Sequence, residues 1–322
     1  MTTPLRKLLD KYRSLAPTER DKGTYLEKLS VVFLKTDATM QAQFEDAWLY
    51  SDWAKLQGVG GKDIGIDVVA KIRDSNRFCA IQCKFYADGA VIQKADTDSF
   101  FANANQDCFE RTMFIDTTNK KWSSNALEQA EKQEKPCTII GISQLEASNI
   151  DWSKFHWEDT VEVFAKKEPR QHQIDALAAV KKGLVEDGLD RGKVIMACGT
   201  GKTYTALQFA QDPDLAGVGK RVLFLVPSLA LMSQTIREWH NDTLVPLRSF
   251  AVCSDSEVGK RQNSAEDIAE STRLDLEIPA TTDYVKIARE AKAEAPDRLT
   301  VIFSTYQSIE TISKSQHIDG LE

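Results

Sequence analysis

Residues 194–203 read VIMACGTGKT: an apolar run, a glycine-rich turn, then Lys202 and Thr203. The amphipathic stretch from Tyr204 to Ala210 follows. Strand, loop and helix in that order suit a nucleoside triphosphate. Small residues let backbone N–H groups curl around phosphates, and a helix N-terminus adds positive potential. Gly199, Thr200 and Gly201 form the cradle, Lys202 is placed to reach the β- and γ-phosphates, and the Thr203 hydroxyl to ligate Mg²⁺. The general pattern has glycine five residues before Gly201; Met196 stands there, so the loop is a variant built on Ala197, Gly199 and Gly201. A second chemistry lies upstream, in IGIDVVAKI (64–72) and RFCAIQCKFY (77–86). Gln82 and Lys84 are two apart on one predicted strand and leave the same face. The other face, Cys79, Ile81, Cys83 and Phe85, suits a core. Asp67 sits on the neighbouring strand. A carboxylate that holds Mg²⁺, with an ammonium to stabilise developing charge, is a set for phosphodiester hydrolysis. The backbone C=O of Cys83 lies where a second metal ligand would sit.

Two kinds of element must position these groups. Residues 1–60 read as mostly helical, with Leu26, Leu29, Val32 and Phe33 on one stripe. The two strands around RDSN form a hairpin, TMFIDTT (112–118) is a further strand, 124–133 a helix, and CTIIGISQL (137–145) a last strand. The aromatic, polar stretch 148–159 reads as a closing loop. Thr117, Thr118 and Trp122 read as turn and core residues. The chain divides near residue 165, giving domains 1–165 and 166–322. In the second, a helix over 171–185 leads to the phosphate-loop strand. RVLFLVP (221–227) and LTVIFSTYQS (299–308) are continuous apolar runs, expected as buried parallel strands; 228–239 is a helix, and 254–299 helices and loops. Strands alternating with helices argue for an α/β doubly wound parallel sheet here.

Composition excludes more than it selects. Net charge is −7, hydrophobic content 42% and charged content 28%, so overall charge does not advertise nucleic acid, though a basic groove remains compatible with it. The six cysteines contain no CxxC pair and the four histidines lie far apart, which argues against zinc. Free thiols fit a reducing cytoplasm. No secretory signal and no run of about 18 apolar residues occurs, so no membrane partner is expected.

GKDIGIDVVA (61–70), IQCKFY (81–86) and IDTTNKKWSSNALEQA (115–130) resemble the Mrr-like branch of the PD-(D/E)xK nucleases. That branch often writes its signature as D…QxK. The resemblance implies Asp67, Gln82 and Lys84 as catalytic residues, Glu27 on the early helix as a further acidic contributor, and Asp63 as a weaker candidate. The second half resembles the front of a superfamily-two helicase motor. In EPRQHQIDAL (168–177), Gln173 is implied to read the adenine of ATP with Arg170 in support. LFLVPSLALMSQTIREW (223–239), AVCSDSEVG (251–259) and FSTYQS (303–308) resemble strand-contact motifs, which implies Pro227, Ser228, Ser304 and Thr305 as DNA-binding positions. Fused in this order, the two halves resemble the N-terminal part of type ISP restriction-modification enzymes. The resemblance implies an Mrr-like restriction-endonuclease fold with a mixed sheet, then a RecA-like P-loop parallel-sheet domain. It also implies Mg²⁺ and ATP as cofactors. Its partners are double-stranded DNA and the downstream motor lobe, methyltransferase and target-recognition domains of one polypeptide. The expected function is a Mg²⁺-dependent DNA endonuclease coupled to an ATP-driven DNA translocase. The alternatives are a helicase-nuclease of repair or phage defence without methyltransferase, and a non-enzymatic DNA-docking module. One departure is plain: no apolar strand ends in Asp-Glu-x-His. The first motor lobe is therefore expected to be truncated before that motif, and its ATPase incomplete.

Overall fold

The computed structural model describes residues 3–16, 18–60, 64–87, 89–118, 122–155, 161–216, 221–253, 272–293 and 295–318. It separates into two compact units. One comprises Met1–Phe164 together with Leu274–Pro279; the other comprises Ala165–Arg273 and Ala280–Glu322.

The first unit opens with α1 (Pro4–Leu15), α2 (Glu19–Thr36) and α3 (Ala38–Gln43). Thr18 caps α2 by accepting the Asp21 N–H, and of the predicted stripe Leu26, Leu29 and Phe33 are buried and Val32 is half-buried. The expectation of a mostly helical first 60 residues misses β1 (Phe44–Leu49), which follows α3 directly and precedes α4 (Tyr50–Gln57). Strand β1 pairs antiparallel with β2 (Val68–Ile72), and β2 with β3 (Phe78–Lys84). Helix α5 (Asp98–Ala104) returns the chain to β4 (Phe109–Asp116), parallel to β3. Helix α6 (Ser124–Glu131) leads to β5 (Cys137–Ile140), parallel to β4. The sheet order β1-β2-β3-β4-β5 is mixed, as the sequence predicts. The last predicted strand is cut short: Gly141 ends it, and Ile142–Glu146 forms α7, with Gln144 Oε1 accepting the Gly141 N–H. Of the predicted closing loop, 156–160 lies outside the described residues.

Both sheet faces are covered. Cys79, Ile81 and Phe85 of the β3 stretch face a core with Leu26, Leu29 and Phe33 of α2. Ala80 of β3 and Val69 of β2 face a second core with Phe100, Phe114 and Trp122. Helices on two faces are what a sheet with a parallel half requires.

Leu274–Pro279 was expected among the helices and loops of the second half, yet it packs into the first unit. Leu274 joins the second core, Leu276 and Ile278 are buried, and the segment's carbonyls are held from two sides. Gln144 Nε2 donates to Asp275 O at 2.9 Å, and Gln43 Nε2 to Glu277 O at 2.9 Å. Alternation in LDLEI marks a buried face, but nothing local says whose core it completes. Leu276 is 1% exposed, so Leu276→Ala is expected to destabilise the first unit by about 2–5 kcal/mol. Hydrogen exchange of β1 and β5 reads this directly; unchanged protection there would show that the segment contributes no core.

The second unit carries α8 (Gln171–Lys181), which continues as a π turn over Lys182–Glu186, then α9 (Lys202–Gln211) and α10 (Pro213–Ala216). Its sheet is parallel throughout: β6 (Arg221–Val226), β7 (Leu247–Val252), β8 (Ala280–Thr281) and β9 (Leu299–Thr305), in the order β6-β9-β7-β8. Helix α11 (Leu229–Asp242) joins β6 to β7, α12 (Tyr284–Lys292) lies between β8 and β9, and α13 (Ile309–His317) closes the chain. Tyr306–Ser308, predicted as strand, is a 3₁₀ turn.

Two strand expectations are corrected. Residues 191–197, before the phosphate loop, form no strand, and Ile195 is 93% exposed. An extended apolar segment becomes a strand only when a neighbour takes its N–H and C=O groups. Among the described residues none does. For the same reason β6 is an edge strand and not a buried one; Leu223 remains exposed.

Inside this unit, His240 of α11 is buried and its Nε2 lies 3.0 Å from Ser249 Oγ on β7. Burial lowers its pKa from 6.5 to about 4. The folded unit therefore keeps the ring neutral while the unfolded chain takes up a proton below pH 6.5. Stability present above pH 6.5 is lost as pH falls through about 4, by about 3 kcal/mol in all. Urea midpoints between pH 7 and 4 should fall less steeply in His240→Gln. Parallel pH curves for the two proteins would refute the assignment.

Candidate active sites

The first site lies where β2 and β3 meet. Asp67 immediately precedes β2 and is held on both sides: its N–H donates to Ile81 O at 3.0 Å, and its C=O accepts the Tyr50 N–H at 2.9 Å. Its Oδ2 accepts the Cys83 N–H at 2.7 Å, so the carboxylate is drawn over the exit of β3. Gln82 shares that face of the sheet and is 6% exposed. Its Nε2 donates to Gly65 O at 3.0 Å, while its Oε1 is buried with no hydrogen-bond partner. Gly65 has φ +79°, and a Cβ there would meet Ser99 Oγ at 3.3 Å, so the turn that accepts the Gln82 amide favours glycine. A buried carbonyl oxygen left unpaired costs about 1–3 kcal/mol, a penalty that a cation would relieve. An oxygen of that kind beside Asp67 and the Cys83 carbonyl fits the hard-oxygen demands of Mg²⁺.

Lys84 ends β3. Burial pushes its pKa down, and the carboxylates of Asp67 and Asp96 push it back up. Asp96 was not singled out in the sequence. It is fixed by the Gln93 N–H at 2.7 Å and by the Tyr86 hydroxyl at 3.3 Å. Tyr86 shares the alternation of Gln82 and Lys84, which is the signal that could have pointed to it. Glu27 approaches from the opposite face of β3. Burial, then Asp67 and Glu27, hold the Cys83 thiol well above its usual pKa, while the Ser30 hydroxyl at 3.3 Å opposes them. Among the described residues no three His, Cys, Asp or Glu side chains converge as a metal cluster. Asp63 lies outside the described residues.

The second site is the loop before α9. Gly199 and Gly201 both have left-handed φ, +76° and +82°. Gly201 caps α9, so the loop's N–H groups open onto that helix N-terminus. Lys202 Nζ donates to Ala197 O at 3.1 Å and Met196 O at 3.4 Å, which folds the ammonium over the loop. Gln173 braces the loop from α8. Its Nε2 donates to Thr200 O at 3.1 Å and its Oε1 accepts the Arg170 N–H at 2.8 Å. His172, not foreseen, also lies 3.0 Å from Thr200 O. A Cβ on Gly201 would fall 2.6 Å from Gln173 Nε2.

Comparison with known proteins matches residues 35–162 to a restriction-endonuclease family, and residues 166–321 to the res subunit of type III restriction enzymes. The solved structure of the ATP-dependent type ISP restriction-modification enzyme LlaBIII bound to DNA is similar over 98% of this chain. It shows 33% identity and a TM-score of 0.75. The chain therefore carries a domain that matches Mrr-type restriction endonucleases, followed by a domain that matches the helicase-like part of restriction enzymes. It spans 19% of the length of LlaBIII. The endonuclease subunit of the type I restriction enzyme EcoAI from Escherichia coli is 30% identical over 132 residues, 41% of this chain and 14% of that subunit.

The nuclease match begins after Glu27, so that residue rests on its position near Cys83 alone. In the helicase domain, Pro227 is exposed beyond β6, and Ser228 caps α11 by accepting the Leu231 N–H at 3.3 Å. Ser304 and Thr305 present no exposed hydroxyl at the end of β9. Both are fully buried, Ser304 Oγ donates to Thr305 O, and Thr305 Oγ1 shares a hydrogen bond with Ser308 Oγ at 3.0 Å. Their hydroxyls finish β9, and just beyond that strand end Tyr306 and Gln307 are exposed. Of the 251–259 stretch, 254–259 lies outside the described residues. Thr203 is half-buried at the start of α9, and its C=O accepts the Trp239 indole N–H at 3.0 Å.

Proposed function

We propose that this protein is the nuclease-and-motor front of an ATP-dependent restriction enzyme, a Mg²⁺-dependent DNA endonuclease whose cleavage is coupled to an ATP-driven DNA translocase. The observation that carries the nuclease reading is the buried, unpartnered Gln82 Oε1 on the sheet face that Asp67 and Lys84 also share. Asp67, Gln82 and the Cys83 carbonyl would hold Mg²⁺. The ion supplies charge neutralisation at the scissile phosphate and a nucleophilic water near neutral pH. Lys84 orients the phosphate and stabilises charge on the leaving oxygen, and Glu27 stands ready on the other face.

The motor reading rests on the loop. Gly199 to Thr203 would cradle ATP, Lys202 would exchange its neutral carbonyl partners for phosphate oxygens, and Thr203 would ligate Mg²⁺. Charge-assisted bonds to phosphate exceed those to neutral carbonyls, so the exchange is downhill. Reading of adenine by Gln173 would require its amide to leave Thr200. Arg170 would support it, and Pro227 and Ser228 would lie along double-stranded DNA. The second motor lobe, methyltransferase and target-recognition parts would come from the same polypeptide, as the type ISP likeness suggests. A reducing cytoplasmic setting fits the six free cysteines. No described helix is long and apolar enough to cross a membrane.

Supercoiled plasmid incubated with the protein in Mg²⁺ or Mn²⁺, and in EDTA, tests the reading. Nicked or linear product should appear with metal only. Binding without any product in either metal would leave a docking module in place of an enzyme.

A further inference from the structure

The most constrained stretch near the nuclease centre is the exit of β3. The pairing of β3 with β2 runs from Phe78 to Ile81, so its last residues depend on β4, where Lys84 stands beside Asp116. Beyond that register Thr117 takes over. Its N–H donates to Lys84 O at 3.1 Å. Its hydroxyl donates to Tyr86 O at 2.8 Å, with a longer approach of 3.4 Å to Lys84 O. One residue thus grips the carbonyls on either side of Phe85. Thr117 is 2% exposed, so water has no ready access to replace the hydroxyl. Arg13 of α1 adds a second donor to Tyr86 O at 3.1 Å and lies over the Phe85 ring.

Thr117 is itself anchored. The fully buried Asp116 carboxylate accepts the Thr118 N–H at 2.9 Å, the Thr118 hydroxyl at 2.7 Å and the Trp122 indole N–H at 3.1 Å. Trp122 packs edge-on against Phe114, 4.8 Å between centroids. The chain leaving β4 is therefore tied to the core before it reaches β3. A lysine side chain has four rotatable bonds, and only a fixed backbone gives its ammonium a defined origin. A threonine kept for packing alone would tolerate valine, whereas here the hydroxyl donates to a carbonyl of the segment leaving β3.

We propose that Thr117 is a positioning residue of the nuclease: by holding the Lys84 and Tyr86 carbonyls, it sets where the Lys84 ammonium stands against the scissile phosphate. The inference rests on the reading of Asp67, Gln82 and Lys84 as the cleavage centre. Misplacement of a reacting group by about 1 Å can cost roughly a hundredfold. Thr117→Val keeps shape and backbone N–H and removes only the hydroxyl. Thr117→Ser keeps the hydroxyl.

The test is Mg²⁺-dependent plasmid cleavage by the intact protein under single-turnover conditions, with DNA affinity and thermal midpoint measured alongside. Thr117→Val is expected to slow the cleavage step at saturating DNA by about tenfold or more, with DNA affinity unchanged and the thermal midpoint lowered only modestly, and Thr117→Ser to restore most of the rate. Should valine prevent folding, Thr117→Ala, which adds no bulk, carries the same comparison. Wild-type cleavage by Thr117→Val or Thr117→Ala overturns the proposal. So does a loss that tracks the thermal midpoint and is not rescued by serine. If Lys84→Ala cleaves normally, the nuclease reading fails first and takes this inference with it. If Lys84→Ala is dead while Thr117→Val is normal, only the inference fails.

Discussion

In the intact enzyme, Asp67→Ala and Lys84→Ala are each expected to lower DNA cleavage at least several hundredfold, with ATP turnover near normal. Asp67 is pinned at both its N–H and C=O, so its removal deletes a carboxylate without a route for another to replace it. Metal ligands and groups that stabilise developing charge act where charge builds in the transition state, and their loss costs on the order of 10²–10³ in rate or more. Burial lowers the pKa of Lys84, and Asp67 and Asp96 beside it work against that shift. Alanine there removes the cation and leaves those carboxylates facing a phosphate. The phosphate loop lies in the other unit, which explains the spared ATP turnover. A time course of supercoiled plasmid loss with each purified variant, alongside phosphate release, decides the matter. Cleavage within a few-fold of wild type by either variant would refute the site.

The second large effect is expected at the loop. Gly201→Ala should abolish measurable ATP binding, and Lys202→Ala should weaken it roughly tenfold to a hundredfold. At Gly201 the φ of +82° alone costs an L-residue about 1–2 kcal/mol, and the new methyl would meet Gln173 Nε2 at 2.6 Å. The Gln173 amide is fixed at both ends, by Arg170 N–H and Thr200 O, so it cannot retreat without freeing the loop. At Lys202 the loss is that of hydrogen bonds to a charged group, about 1.5–3 kcal/mol. Titration with a fluorescent ATP analogue in Mg²⁺ measures both. Unaltered affinity in Gly201→Ala would mean that triphosphate binds elsewhere.

Much of this was legible in the chain because it rests on short-range order. Period-two alternation put Gln82 and Lys84 on one side of β3, and continuous apolar runs found β6 and β9. The glycine spacing around Lys202 marked the loop that precedes α9. The helix read over 228–239 is α11, which starts one residue later, at Leu229.

What failed had a common cause. Strand β1 was hidden in a helical neighbourhood because FEDAWL becomes a strand only when β2 offers it a ladder. Residues 194–197 are as apolar as any strand, yet without a neighbour among the described residues they remain extended and exposed. Ser304 and Thr305 end β9 with both hydroxyls buried, which the polar composition of that stretch does not reveal. LDLEI showed a buried face but not the core it completes, which is that of the first unit. The sequence by itself determined residue types, spacing and faces, since the 3.6 and 2.0 periods are properties of the local backbone. Tertiary structure alone decided which distant groups meet: Asp67 on the Cys83 N–H, Gln173 on Thr200, and Thr117 on the carbonyls around Phe85. Those contacts close long loops, and their free energy depends on surfaces that no local window contains.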